Sequence, residues 1–111
     1  LPRNAMMEME QLTDPAYYIV LSLLEEKHGY LIMKHIEELT GGEFIIGPAT
    51  LYTLTKKLLD AEMISLSASQ DDRRKVYKAT EKGRKLLELE IGRRQRMAAH
   101  GMDAFKKNKE V

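Results

Sequence analysis

Apolar residues recur along most of this chain at helical spacing, and the interruptions fall where helices should stop. Ala16, Ile19, Val20, Leu23 and Leu24 form the first stripe. Asp14-Pro15 stands just ahead of it, an acidic cap followed by a residue that needs no N–H in a first helical turn. Glu25-Glu26-Lys27-His28-Gly29 closes that helix, with Gly29 free to turn left-handed. Ile32, Met33, Ile36 and Leu39 predict a second helix, stopped by Gly41-Gly42. Glu43 to Ile46 reads as a short extended or looped segment. Gly47-Pro48 then opens a third helix, and Leu51, Leu54 and Leu58 form its buried stripe. Ala61, Glu62 and Met63 end it.

The period then changes. Met63 to Ala68 has strand character, Ser69-Gln70-Asp71-Asp72 is turn chemistry, and Arg73 to Ala79 reads as the returning strand. Thr80 caps a last helix, long and charged, that runs to about Lys107. Helix, helix, helix, hairpin and long helix are the parts of a winged helix-turn-helix domain with an appended helix. The expected fold is mainly α, with a two-stranded β-hairpin wing and a long C-terminal dimerisation helix. Residues 1–5 read as residue added ahead of a natural start at Met6 or Met7. Residues 6–80 are the winged helix, and 81–111 the C-terminal helix and tail.

The 111 residues suit one domain, and 43% hydrophobic with 32% charged residues suits a folded globular chain. No apolar run approaches the roughly 20 residues of a membrane span. With no cysteine there is no disulfide framework, thiol nucleophile or cysteine metal site, which fits a reducing cytoplasm. His28 and His35 have no third ligand nearby, and Glu25-Glu26 and Glu37-Glu38 are sequence neighbours that point apart on a helix. "GPATLY" lacks the glycine and Gly-Lys pair of a phosphate loop. Neither a catalytic residue nor a metal or other cofactor is expected.

Charge distribution matters more than the net +1. With Leu51 facing the core and a step of about 100° per residue, Ala49, Thr53, Lys56 and Asp60 point outward, while Tyr52 and Lys57 flank them. Pro48 starts this helix sharply, and Ala49 and Thr53 keep its first turns small enough to enter a major groove. Thr50, Tyr52 and Thr53 can hydrogen-bond to phosphates or base edges, and Lys56 and Lys57 can neutralise phosphates. Arg73, Arg74 and Lys75 put three consecutive bases at the hairpin tip. Residues 47–79 hold six bases against four acids, so strong binding to double-stranded DNA would need two copies acting together. In the last helix, Leu87, Ile91, Ala98, Met102 and Phe105 form a broken heptad. Arg94 and Gly101 occupy its missing positions, and Leu86, Leu89 and Met97 widen the apolar surface. This predicts a homodimer arm that also receives a partner's first helix, setting two third helices about 34 Å apart.

"TDPAYYIVLSLL", "HGYLIMKHI", "GPATLYTLTKKL", "DDRRKVYKATEKG" and the trailing helix, in this order and spacing, resemble the PadR family of bacterial transcriptional regulators from about Leu12 to Phe105. The resemblance implies a winged-helix dimer, usually a repressor, on an inverted-repeat operator. It implies DNA contact by Thr50, Tyr52, Thr53 and Lys56, and backbone contact by Tyr30 and by Arg73, Arg74 and Lys75. The single trailing helix looks like the compact branch of the family. Members release DNA on binding small aromatic or amphipathic effectors, some held flat between two trailing helices. This chain has no tryptophan and carries Arg94 near the expected dimer centre, which argues against a flat sandwich. Its seven methionines suit either an adaptable pocket or core filling. The competing readings are a MarR-type regulator, for which the chain is short, and a winged helix that binds protein instead of DNA.

Overall fold

The computed structural model describes residues 9–67 and 75–109. Four helices and three short strands follow one another as α1 (Asp14–Ser22), β1 (Lys27–His28), α2 (Gly29–Leu39), α3 (Pro48–Asp60), β2 (Ile64–Leu66), β3 (Val76–Ala79) and α4 (Glu81–Lys107). The mainly helical winged-helix architecture is the one the sequence predicts, with local differences.

The first helix is capped by Thr13, not Asp14: Thr13 Oγ1 accepts the Ala16 N–H, and Asp14 lies in the first turn, where its charge suits the helix dipole. It also ends early, at Ser22, with Leu23 as its C-cap. Lys27 and His28 are therefore free to form a strand, and Gly29 begins α2 instead of closing α1. Gly41 and Gly42 do stop α2 with positive φ angles of 63° and 84°.

The wing is a three-stranded antiparallel sheet in the order β1-β3-β2, not a lone hairpin. Lys27 pairs with Tyr77 and His28 with Val76 on one side of β3, and Ile64 pairs with Ala79 on the other. A two-stranded ribbon is marginal in water. The third strand also ties the start of α2 to the wing. The Ala79 N–H donates to the carbonyl of Leu23 at 2.8 Å, which fixes the sheet to the end of α1.

The core lies where the helices converge on the sheet. Ile19 and Val20 of α1 and its C-cap Leu23 meet Ile32 and Ile36 of α2, Leu58 of α3, Met63 ahead of β2 and Ile64 in it. The α3 stripe differs by one residue from expectation: Leu51, Thr55 and Leu58 are buried, while Leu54 is only half-buried. Thr55 tolerates burial because its hydroxyl donates to the Tyr52 carbonyl at 3.1 Å.

Helix α4 joins the core through its first turns. Thr80 Oγ1 caps it by accepting the Gly83 N–H at 3.0 Å, and Leu86 and Leu87 are buried. Glu90 follows, only 1% exposed. Burial acts to raise its pKa. The hydrogen bond from Arg93, the backbone N–H of Leu12 and the fields of Arg93 and Arg94 outweigh that and hold its carboxyl below the usual glutamate range. No helix among the described residues is long and apolar enough to cross a membrane.

Two predictions follow from how α4 is seated. A Cβ at Gly83 would stand 2.0 Å from the Met63 carbonyl oxygen, whereas at Gly92 it would meet only the end of the Arg96 side chain at 3.5 Å. Gly83→Ala is expected to cost about 3 kcal/mol or more in urea unfolding, while Gly92→Ala leaves stability unchanged or raises it by about 1 kcal/mol. The lowered pKa of Glu90 means that its ionised form stabilises the fold above the unfolded value of about 4.3 and that this contribution fades as pH falls below it. Between neutral pH and about pH 3, Glu90→Gln should therefore lose less stability than the parent chain in parallel melts, since it has no such carboxylate to protonate.

Candidate nucleic-acid interface

Helix α3 lies with Leu51, Thr55 and Leu58 inward, which leaves its other face uncovered. Pro48, Ala49, Thr50, Tyr52, Thr53, Lys56 and Lys57 are all exposed. Tyr52 is 67% exposed, and the ammonium of Lys56 sits 5.9 Å from its ring centre. This face therefore combines small residues, hydroxyls and two cations on a rigid helix. Asp60, also exposed, puts a negative charge at the far end of this face, away from its small first turns.

The caps divide the helices into two kinds. Thr13 and Thr80 place a side-chain oxygen on the free N–H groups of α1 and α4. His28 and Gly47 give no such bond at the starts of α2 and α3. Those two N-termini lack a side-chain cap and present the positive end of the helix dipole, a setting that favours phosphate.

The same two N-termini are neighbours. Gly29 lies against α3 so closely that a Cβ there would stand 3.5 Å from Leu51 Cδ2. Tyr30, one residue on and 67% exposed, thereby stands on the first turn of α2 next to α3. Sequence reasoning placed Tyr30 correctly on α2 but gave no reason for it to lie beside α3. The reason is β1, whose pairing to β3 pulls the start of α2 into the wing. At the other end of the site, Lys75 is exposed just ahead of β3. Arg73 and Arg74 lie outside the described residues.

His28 and His35 are half-buried in the fold. His35 Nδ1 lies 2.9 Å from the Ser22 hydroxyl, tying α2 to α1, and His28 forms part of β1. Among the described residues, no three His, Asp or Glu side chains are grouped to hold a metal ion.

The residues expected at a dimer seam fall into three environments. Leu87, 3% exposed, belongs to the protomer's own core. Arg94 is engaged within its own chain: its guanidinium donates to Asp14 Oδ1 at 2.7 Å and to the Leu12 carbonyl at 2.8 Å, and lies 4.3 Å from the Tyr17 ring centre. Ile91, Ala98, Met102 and Phe105 are exposed, Phe105 at 75%. Leu89 and Met97 add exposed apolar surface. Beside Arg94, an open recess of about 670 Å³ is walled by Tyr17, Tyr18 and Phe44, with Asp14 and Glu43 among its polar groups.

Comparison with known proteins agrees with this architecture. The profile of the transcriptional regulator PadR-like family matches residues 20–89. A transcriptional regulator from Clostridium thermocellum superposes with a TM-score of 0.66 at 21% identity, covering 81% of this chain and 89% of that one. A PadR family transcriptional regulator from Eggerthella lenta gives 0.66 at 21% identity, covering 85% and 82%. Bacillus subtilis PadR, solved in complex with operator DNA, gives 0.60 at 25% identity. That alignment covers 68% of this chain and 46% of the Bacillus protein, so this chain spans about half of its length. Among curated proteins, none matches.

Proposed function

We propose that this chain, which belongs to the PadR-like family of transcriptional regulators, works in the cytoplasm as a homodimeric repressor on an inverted-repeat operator. The observation that carries the reading is the exposed face of α3. It is small over its first turns, and it is flanked by Tyr30, Lys56 and Lys57 with two uncapped helix N-termini beside it. A helix with this surface can approach base edges closely while its hydroxyls and cations hold the backbone. Lys75, with Arg73 and Arg74 next to it in sequence, supplies a second set of phosphate contacts from the wing. A winged helix that binds a partner protein would need neither feature.

Homodimerisation is supported by α4. Every residue from 95 to 109 is exposed in the protomer, yet the segment carries Met97, Ala98, Met102 and Phe105. Apolar surface of this extent on a projecting helix calls for a cover. A second copy related by a two-fold axis would supply it, and such an axis matches an inverted repeat. Leu87 and Arg94 serve the protomer, so the seam centres on Ile91, Ala98, Met102 and Phe105. The recess beside Arg94 offers a small aromatic or amphipathic effector the rings of Tyr17, Tyr18 and Phe44 together with the polar groups of Asp14, Thr40 and Glu43. It lies beside the root of α4, where occupancy can act on the dimer.

Selection from a random duplex pool at about 150 mM salt, where non-specific phosphate binding is weakened, should recover an inverted repeat. Recovery of nothing by a folded, dimeric protein would refute the reading in favour of a protein-binding winged helix. On the recovered site, Lys56→Ala should weaken binding and make the salt dependence shallower by about one to two units of log–log slope, for one phosphate per subunit. Phe105→Asp should yield monomers in sedimentation velocity, and an intact dimer would place the seam elsewhere.

A further inference from the structure

Among the described residues, Glu90 and Arg94 are the last through which α4 is bonded to the rest of its own chain. From residue 95 onward all side chains of the helix are exposed. The contact made there is not a greasy one. Glu90 is the one buried charged residue among those described, and each of its carboxylate oxygens is used. Oε2 accepts the backbone N–H of Leu12, and Oε1 accepts Arg93 Nε at 2.6 Å. Arg94, one turn further along, donates to the carbonyl of the same Leu12 and to Asp14. Both backbone groups of a single residue ahead of α1 are thus gripped by one turn of α4.

Burying a carboxylate is a poor way to gain stability, since apolar residues of the same size usually serve as well or better. What a charged, hydrogen-bonded grip adds is direction. Apolar side chains can slide past one another at little cost, whereas these bonds hold only at one helix position and tilt. The arm beyond Arg94 runs to Lys107, a length of about 20 Å at 1.5 Å per residue. A tilt of about 10° at its root would displace its tip by about 3.5 Å, close to the rise of one base pair in a turn of about 34 Å.

We infer that Glu90 and Arg94 are positioning residues that fix the angle between arm and winged helix, and so set the spacing between operator half-sites that the dimer accepts. The inference rests on the DNA-binding dimer proposed above. Neither residue touches DNA in this scheme. They act through the backbone of Leu12, which leads directly into α1 and hence into the core under α3.

The absence of cysteine makes the test direct. Asp60→Cys places one spin label on the exposed end of α3, and the distance between labels in the full-length dimer is read by pulsed electron resonance. The parent should give one narrow distance. Glu90→Gln, and separately Arg94→Ala, which leaves the Leu12 and Arg93 bonds of Glu90 in place, should broaden or shift it while circular dichroism stays native. An unchanged distribution in both folded variants overturns the inference, whether or not the protein binds DNA.

A second readout uses duplexes carrying the selected half-sites with spacers lengthened or shortened by one or two base pairs. The parent should favour one spacing about tenfold, because simultaneous engagement fails when the geometry is wrong. In both variants that preference should fall to about twofold or less, with affinity for an isolated half-site unchanged. A sharp preference at the same spacing, or an equal loss on the isolated half-site, overturns the inference. A narrow distance in the parent that broadens in the variants, without DNA binding by any of them, upholds the positioning role and refutes the operator reading instead.

Discussion

Nothing larger than a hydrogen atom fits between Gly83 and the carbonyl of Met63, and that close approach seats the first turn of α4 against the end of α3. The same carbonyl accepts the Thr80 N–H at 3.0 Å, while the Thr80 hydroxyl donates to Glu62 at 2.7 Å and accepts from Gly83. The end of α3, the start of β2 and the first turn of α4 are therefore locked into one joint. Glu62 adopts a positive φ of 61° to make that joint, a conformation that costs a non-glycine residue roughly 1 kcal/mol or more. With the joint set, Leu86 and Leu87 fall onto the core and Glu90 reaches Leu12.

Two kinds of polarity are used in this molecule. Along α4 and α1 the polar groups close on one another: Glu90 with Leu12 and Arg93, Arg94 with Asp14, Thr13 and Thr80 with their own helix starts. By contrast, α2 and α3 begin without side-chain caps, and Thr50 and Thr53 stand exposed on the same helix as Lys56 and Lys57. Satisfied polarity fixes geometry, and unsatisfied polarity is available for a ligand. A net charge of only +1 is compatible with DNA binding under this division, because the acids lie largely outside the first turns of α3.

The proposed dimer divides its labour in the same way. The apolar stripe of α4, interrupted at Arg94 and Gly101, runs along one helix, yet its first half is consumed by the protomer and its second half is left bare. Leu87 and Phe105 look alike in a periodicity argument and have opposite fates. One arginine near the middle, stacked on Tyr17 and bonded to Asp14, marks the boundary between the two.

The sequence by itself determined the helices, their order, the wing and the outward face of α3. Each of these depends on local signals: helical spacing of apolar residues, Pro48 at a first turn, Gly41-Gly42 as a stop, Thr80 as a cap. Tertiary structure decided what local signals cannot carry. Lys27 and His28 are a strand only because β3 lies beside them, since two residues are too few to show alternation. Thr13 replaces Asp14 as cap because of where the chain turns ahead of α1. Leu54 yields its buried place to Thr55 because the core lies slightly round the helix from the leucine stripe. Glu90 reads as an ordinary surface residue in a charged helix, and becomes the one buried carboxylate described only because a backbone N–H seventy-eight residues away in sequence meets it. Burial and pairing across such distances belong to the folded chain, and no periodicity within one helix contains them.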